Sequence, residues 1–322
     1  MANIHFIWWG PVRGPECYAT PNAIARYSGL FHKLKFWCRA EDRQAFRQVL
    51  DTRIEIIGIN KSFLQLAQNQ RGLLAQKDFQ DATWVLHELN RHKAFSAVKD
   101  LLSLLVLYTQ GGIYLDTTTR LSAMAERMKY MGQQNLNKGI EQLGGEPRVV
   151  LLEDTIPHAP LLQTTQAILF GEDDSGKGSP KPIDVPLIDV WALYSPPGHA
   201  AFKTMLLSYV SRANRMGLNQ TRTPANVFSK IGDEEVHGVD LLQDREGREL
   251  RNKLIGNLII RSVYDGLLVN CSNLDGEQLA NYAWPTLPLA QSDKQNPDEH
   301  SLFVPSLGIV KTYRNTWRNQ VL

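Results

Sequence analysis

Leu107-Tyr108-Thr109-Gln110-Gly111-Gly112-Ile113-Tyr114-Leu115-Asp116 decides how this chain is read. From Ala94 to Gln110 the sequence is helix-forming and apolar on most faces, the pattern of a buried helix. Two consecutive glycines supply the backbone freedom needed to leave that helix. Ile113-Tyr114-Leu115 then reads as a short buried strand that finishes in Asp116. In open α/β sheets ligands sit beyond the carboxyl ends of strands. Asp116 therefore stands where a site is expected, able to accept from a ligand hydroxyl or to hold a Mn²⁺ or Mg²⁺ ion.

On the N-terminal side, Ile4-His5-Phe6-Ile7-Trp8-Trp9 is dense in β-branched and aromatic residues and stops at Gly10-Pro11, the signature of a buried first strand. A helix is predicted near Pro21 to His32, a strand at Phe36-Trp37-Cys38, a helix near Asp42 to Leu50 and a strand at Ile54-Glu55-Ile56-Ile57. Strands alternating with helices indicate βαβ units, so the expected class is α/β with a mostly parallel central sheet and helical insertions. Beyond the central run, Val149 to Asp154 and Ile188 to Tyr194 read as strands, Pro196-Pro197-Gly198-His199 as a turn, and Ala200 to Met216 as a helix. Residues 172–182 are polar and rich in Gly and Pro, hence an exposed loop. No internal repeat is present, and residues 1–322 are read as one catalytic domain.

Composition narrows the function. An apolar content of 43% and a charged content of 21% suit a globular chain with a sizeable core. Thirty-five basic against 33 acidic side chains leave a formal net charge of +2, so no global field draws in nucleic acid or an anionic membrane. Cys17, Cys38 and Cys271 form neither a disulfide framework nor a metal clip, which fits a reducing compartment. Neither a Sec-type leader nor a membrane span is read. The expected location is the cytoplasm, or a host cell reached without a Sec signal.

A nucleoside diphosphate sugar presents a flat base, a ribose, a pyrophosphate and a hexose. Adjacent tryptophans in a strand face opposite sides, so Trp8 or Trp9 is available to stack a base while the other fills the core. Glu153 and Asp154 end a strand, and because adjacent strand residues face opposite sides at most one of the pair can face a sugar or acceptor. His199 reads as a turn or capping residue, and Glu234-Glu235-Val236-His237 as a solvated acidic stretch. A dinucleotide-binding Rossmann protein is disfavoured, since no GxGxxG follows the first strand.

The run Gly111 to Asp116 resembles the sugar-binding region of glycosyltransferases with a DXD motif and a GT-A fold. His5-Phe6-Ile7-Trp8 resembles the HFxW opening of the clostridial glucosylating toxins and related bacterial effector enzymes. In that group a helix Asp precedes the first motif Asp by sixteen positions, which here is Asp100. The resemblance implies that Trp8 stacks the base, Asp100 holds donor sugar hydroxyls, Tyr114 lines the site, and Asp116 faces ribose and metal. It implies a retaining, front-face transfer from a nucleotide sugar, UDP-sugar favoured, to a protein or glycan acceptor.

Two positions depart from the pattern. The second acidic residue of DXD is Thr118, and the donor-binding Arg expected three residues after Asp100 is Ser103. Threonine ligates a hard cation only as a neutral oxygen, which weakens divalent binding. Thr118 is therefore read as a substrate contact, with Arg120 able to neutralise donor charge, and a non-catalytic binding module is the alternative function. Downstream, Ser195 to His199 resembles the PGHP turn and Thr221 to Pro224 the TGP turn of the same group, the latter with Arg222 in the Gly position. Tyr313-Arg314-Asn315-Thr316-Trp317 resembles its Ser-x-Trp loop, which makes 305–322 a site-closing tail. There Trp317 would stabilise the leaving group, with Thr316 beside it and Arg314 or Arg318 offsetting pyrophosphate charge.

Overall fold

The computed structural model describes residues 3–28, 32–60, 76–91, 94–121, 150–154 and 187–215, with 258–259, 262–263, 265–266, 291–292, 301–304 and 309–312. Strands β1 (Asn3–Ile7), β2 (Lys33–Arg39), β3 (Ile54–Ile59), β4 (Gly112–Leu115), β6 (Val150–Asp154) and β7 (Leu187–Ser195) make one sheet in the order β3-β2-β1-β4-β7-β6. β1 to β4 run parallel to one another, while β7 is antiparallel to both β4 and β6. The expected α/β class with a mostly parallel sheet holds. Its first strand ends at Ile7, short of the two tryptophans. A smaller antiparallel sheet joins β5 (Thr119–Leu121), β10 (Ile309–Thr312), β9 (Ser301–Val304) and β8 (Gln291–Ser292) in that order.

The two-residue repeat of the strands divides the core in two. Ile4, Phe6, Phe36, Cys38, Ile54, Ile56, Ile113 and Leu115 point to one side, where they pack with residues of α1 (Ala19–Ser28) and α2 (Arg43–Val49). Ile7, Trp37, Ile59 and Tyr114 point to the other, against α3 (Gln76–Arg91), α4 (Phe95–Gln110) and α5 (Ala200–Arg215). Both faces of the sheet are therefore covered at its centre, where the strands are largely apolar.

Helix α4 is the axis of the second layer. Every residue from Leu101 to Thr109 is buried, along with Ala97 and Val98. Only a helix apolar around its whole circumference tolerates this. Each large side chain contributes roughly 1.5–3 kcal/mol by leaving water. Tyr209 of α5 ties the layer together by donating its hydroxyl to the Ala97 carbonyl at 3.1 Å.

The exit from α4 explains both glycines. Gly111 has φ 63° and its N–H closes the helix on the Leu107 carbonyl at 2.9 Å, while Gly112 has φ 103°. A β-carbon on Gly111 would lie 2.5 Å from Pro197 Cδ, and one on Gly112 would lie 2.4 Å from the Asn3 carbonyl oxygen. The turn is thus squeezed between the start of β1 and the Pro196-Pro197-Gly198 corner after β7. That corner is itself fastened to α4, since the Gly198 N–H donates to the Tyr108 carbonyl at 2.7 Å.

His5 completes the joint. It is fully buried; its Nε2 lies 2.9 Å from the Gly111 carbonyl and its Nδ1 accepts from the Trp37 indole N–H at 3.1 Å. Nδ1 can accept only if it carries no proton, so the ring is neutral with its hydrogen on Nε2. Burial, offset in part by the bond to Gly111, holds the His5 pKa down at about 4. The histidine of the HFxW stretch is in this way a strut of the Gly-Gly turn.

Candidate functional site

The chain runs from β1 to β2 and β3 on one side of the sheet, then returns to place β4 on the other side of β1. The gap beyond the carboxyl ends of β1 and β4 is therefore the topological switch point, where open α/β sheets hold ligands. His5 and Tyr114 are register partners. Asp116 lies two residues beyond Tyr114, and Trp8 three residues beyond His5. The sheet thus brings the expected base-stacking residue and the expected diphosphate-end carboxylate just past the ends of two adjacent strands.

The two tryptophans part company there. Trp9 is buried on the α3–α5 side and donates its indole N–H to Asn90 Oδ1 at 2.8 Å. Trp8 is half-buried against the opposite core, its ring held by an N–H bond to the Pro11 carbonyl at 3.1 Å. Of the pair, Trp8 is the one with ring surface left for a ligand.

Parity sends Tyr114 and Asp116 to the α4 side of β4, and α4 answers with Lys99 and Asp100. Lys99 Nζ lies 3.2 Å from Asp116 Oδ2 and 3.9 Å from Asp100 Oδ1. The side chains are mostly enclosed, with Lys99 23%, Asp100 16% and Asp116 13% exposed. Burial pulls the Lys99 pKa down, but the Asp116 and Asp100 carboxylates outweigh it and hold the ammonium well above its ordinary value. A unit pair 4 Å apart attracts by ~4 kcal/mol at an effective dielectric near 20, against ~1 kcal/mol in water. At this burial the cluster is a structural tie, unlike the more exposed Arg53–Asp51 pair at 2.6 Å, of the kind typically worth ~0–1 kcal/mol.

Two further polar atoms close by in sequence are under-bonded. Tyr114 Oη and Thr117 Oγ1 are buried, and among the described residues neither has a hydrogen bond of good geometry, although Lys99 is a close neighbour of the phenol. Burial first, then the Asp116 and Asp100 charges, push the Tyr114 pKa far up, so the hydroxyl keeps its proton. Buried hydroxyls without good partners cost free energy, which a bound ligand with matching oxygens would recover.

Asp100, Tyr114 and Asp116 therefore meet in one cluster, and Lys99 joins them unforeseen. Ser103, the position where the resemblance expects an arginine, is buried and spends its hydroxyl on the Asp100 carbonyl at 2.7 Å. Lys99 and Ser103 are four residues apart on α4 and so share a helix face. That spacing is the signal by which Lys99 was legible: the cation absent at 103 stands one turn earlier. His199 accepts the Ala201 N–H on Nδ1 at 3.2 Å, the capping role read for it, and burial lowers its pKa.

Asp116 fits a tightly held divalent ion poorly. Mn²⁺ and Mg²⁺ want several oxygen ligands, preferably anionic. Here one oxygen of the single motif carboxylate is engaged by an ammonium, and the next two residues are threonines. Among the described residues no group of three His, Cys, Asp or Glu side chains comes together as a metal site.

Other expectations reach less far. Thr118 follows the cluster directly, while Arg120 lies in β5 and Glu153 and Asp154 close β6. Arg314, Thr316, Trp317 and Arg318 lie outside the described residues, as do the 172–182 loop, Thr221 to Pro224 and Glu234 to His237. The 305–322 tail does contribute β10, which pairs with β5 through Lys311 opposite Thr119. No helix among the described residues is long and apolar enough to cross a membrane.

Residues 45–135 match the family model of the glycosyltransferase sugar-binding region containing DXD motif, a stretch that holds α4, the Gly-Gly turn and Asp116. No curated protein matches the chain. Among solved structures the chain is similar to PaToxG Glycosyltransferase, at 12% identity and a TM-score of 0.46, over 87% of this chain and 72% of that one. The matched segment resembles the sugar-binding region of glycosyltransferases and supports glycosyl transfer.

Proposed function

We propose that the chain is a glycosyltransferase that moves a hexose from a nucleoside diphosphate sugar, UDP-sugar favoured, to a protein or glycan acceptor. The observation that carries the reading is the meeting of Asp100, Tyr114 and Asp116 past the end of β4, with Trp8 past the end of the adjacent β1. In this reading Trp8 stacks the base, a contact of roughly 1–3 kcal/mol. Asp100 accepts from sugar hydroxyls, and Asp116 accepts from the ribose.

Transfer proceeds on one face of the sugar, with retention. The bond from the anomeric carbon to the β-phosphate oxygen breaks while the acceptor oxygen or nitrogen bonds to that carbon from the same side. The acceptor proton leaves with the departing phosphate oxygen. The protein contributes orientation and charge stabilisation rather than a nucleophile. Trp317 and Thr316 would close on the β-phosphate, with Arg314 offsetting its charge. The register of β5 and β10 supports this part: each step along β10 toward the C-terminus moves one residue back toward Asp116.

The favoured acceptor is a host protein met by a secreted bacterial effector, a reading motivated by the His5-Phe6-Ile7-Trp8 opening. A cell-surface polysaccharide is the competing acceptor. The test is nucleotide release on incubation with UDP-glucose, UDP-GlcNAc or GDP-mannose. Release of UDP from one UDP-sugar is the expected result. Binding without release would instead identify a catalytically silent module, the reading that Ser103 and Thr118 favour, and absence of binding would overturn both.

A further inference from the structure

Metal-assisted donor sites leave their carboxylates open to a dication. This corner does not. Asp116 offers its Oδ2 to Lys99 at 3.2 Å, and Asp100, the other carboxylate within reach, has its Oδ1 3.9 Å from the same nitrogen. An ammonium between two carboxylates stands where a dication serving both would have to stand, and like charges exclude one another at such distances.

The sequence around the cluster has changed in the same sense. Thr118 removes the second carboxylate that would favour a metal. Ser103 turns its hydroxyl back onto the Asp100 carbonyl, which leaves Lys99 as the cation that α4 presents to this cluster. The ammonium also has donors in reserve. Of its three N–H bonds one goes to Asp116 and one lies toward Tyr114, while Asp100 at 3.9 Å is beyond hydrogen-bond length. A ligand oxygen reaching Lys99 would meet that remaining N–H beside the underused hydroxyl of Tyr114.

We propose that Lys99 is the resident cation of this site, occupying beside Asp116 the place of a divalent metal, so that the diphosphate sugar is bound without one. The inference rests on the donor-site reading above and makes a separate claim about it. Lys99 and a dication compete for Asp116: where the ammonium is present metal binding is weak, and where it is removed Asp116 gains affinity for Mn²⁺.

The experiment titrates Mn²⁺ into the full chain by electron paramagnetic resonance and measures UDP binding by calorimetry, in Mn²⁺ and in EDTA. Wild type and Lys99→Arg should bind UDP equally in both buffers and take up little Mn²⁺. Lys99→Gln should bind Mn²⁺ about tenfold or more tightly than wild type, and adding Asp116→Asn should abolish that gain. Wild-type UDP binding that requires Mn²⁺, or Mn²⁺ uptake by wild type as tight as by Lys99→Gln, overturns the inference while leaving the donor site standing. No nucleotide binding in either buffer overturns the donor site and this inference with it. If Lys99→Gln does not fold, judged by circular dichroism, the wild-type comparison of the two buffers decides alone.

Discussion

The two faces of the six-stranded sheet are built by alternate residues of the same strands, yet they do different work. Toward α1 and α2 the strands send Ile4, Phe6, Phe36, Ile54, Ile56, Ile113 and Leu115, an apolar layer whose Phe36 and Phe46 rings sit 4.7 Å apart. Toward α4 they send His5, Trp37 and Tyr114, with Asp116 just past the end of β4, and the helix replies with Lys99 and Asp100. One face holds the sheet together, and the other pays for a site with buried polar groups. Stability and binding should therefore be separable by face.

The largest expected effect lies where the faces meet. Gly112→Ala puts a β-carbon against the Asn3 carbonyl at a φ that side chains rarely adopt, and should cost about 3 kcal/mol or more. Denaturant unfolding would show it, and a variant as stable as wild type would contradict the account of the turn. Next comes the apolar face: Phe46→Ala should lose about 3–5 kcal/mol of stability while the variant that folds keeps wild-type nucleotide affinity.

On the α4 face the prediction concerns pH. The folded chain holds His5 near pKa 4, while an unfolded histidine titrates near 6.5. The unfolded state thus binds a proton that the folded state refuses. Stability is unaffected by this group above pH 6.5 and falls by at most roughly 3 kcal/mol as pH drops from 6.5 to 4. His5→Gln should flatten that part of the stability profile, and an unchanged slope would contradict the neutral strut. The smallest stability change belongs to Tyr114→Phe, which removes a buried hydroxyl without a good partner and should shift stability by less than about 1 kcal/mol. Its effect should appear in donor affinity instead.

Much of this arrangement is legible in the residues themselves. The apolar stretch from Ala94 to Gln110, the glycine pair and the strand ending in Asp116 are local patterns, so the helix, the turn and β4 follow from short-range rules. The alternation of Trp8 and Trp9 is equally local. Helix α3 was not anticipated, nor was the reversal of β7, which depends on how distant segments pair rather than on periodicity. Strands of two to four residues such as β8 and β9 carry too little pattern to stand out.

Lys99 is harder to read from the sequence because position 103 itself carries no cation, although helical geometry makes 99 its neighbour. The relay from Trp37 through His5 to Gly111 joins residues 32 and 106 positions apart, and no local rule announces it. The site is thus half written in spacing and half in the way β4 lays one strand end against α4.

The most direct test of the central claim follows a tyrosine on each face. With 3-fluorotyrosine incorporated throughout, the Tyr114 and Tyr194 resonances can be assigned by their Phe variants; Tyr114 lies on the α4 side and Tyr194 on the other. On addition of UDP-glucose the Tyr114 signal should move and the Tyr194 signal should stay. A saturating ligand that leaves Tyr114 unmoved would place the nucleotide sugar somewhere other than the corner of Lys99, Asp100 and Asp116.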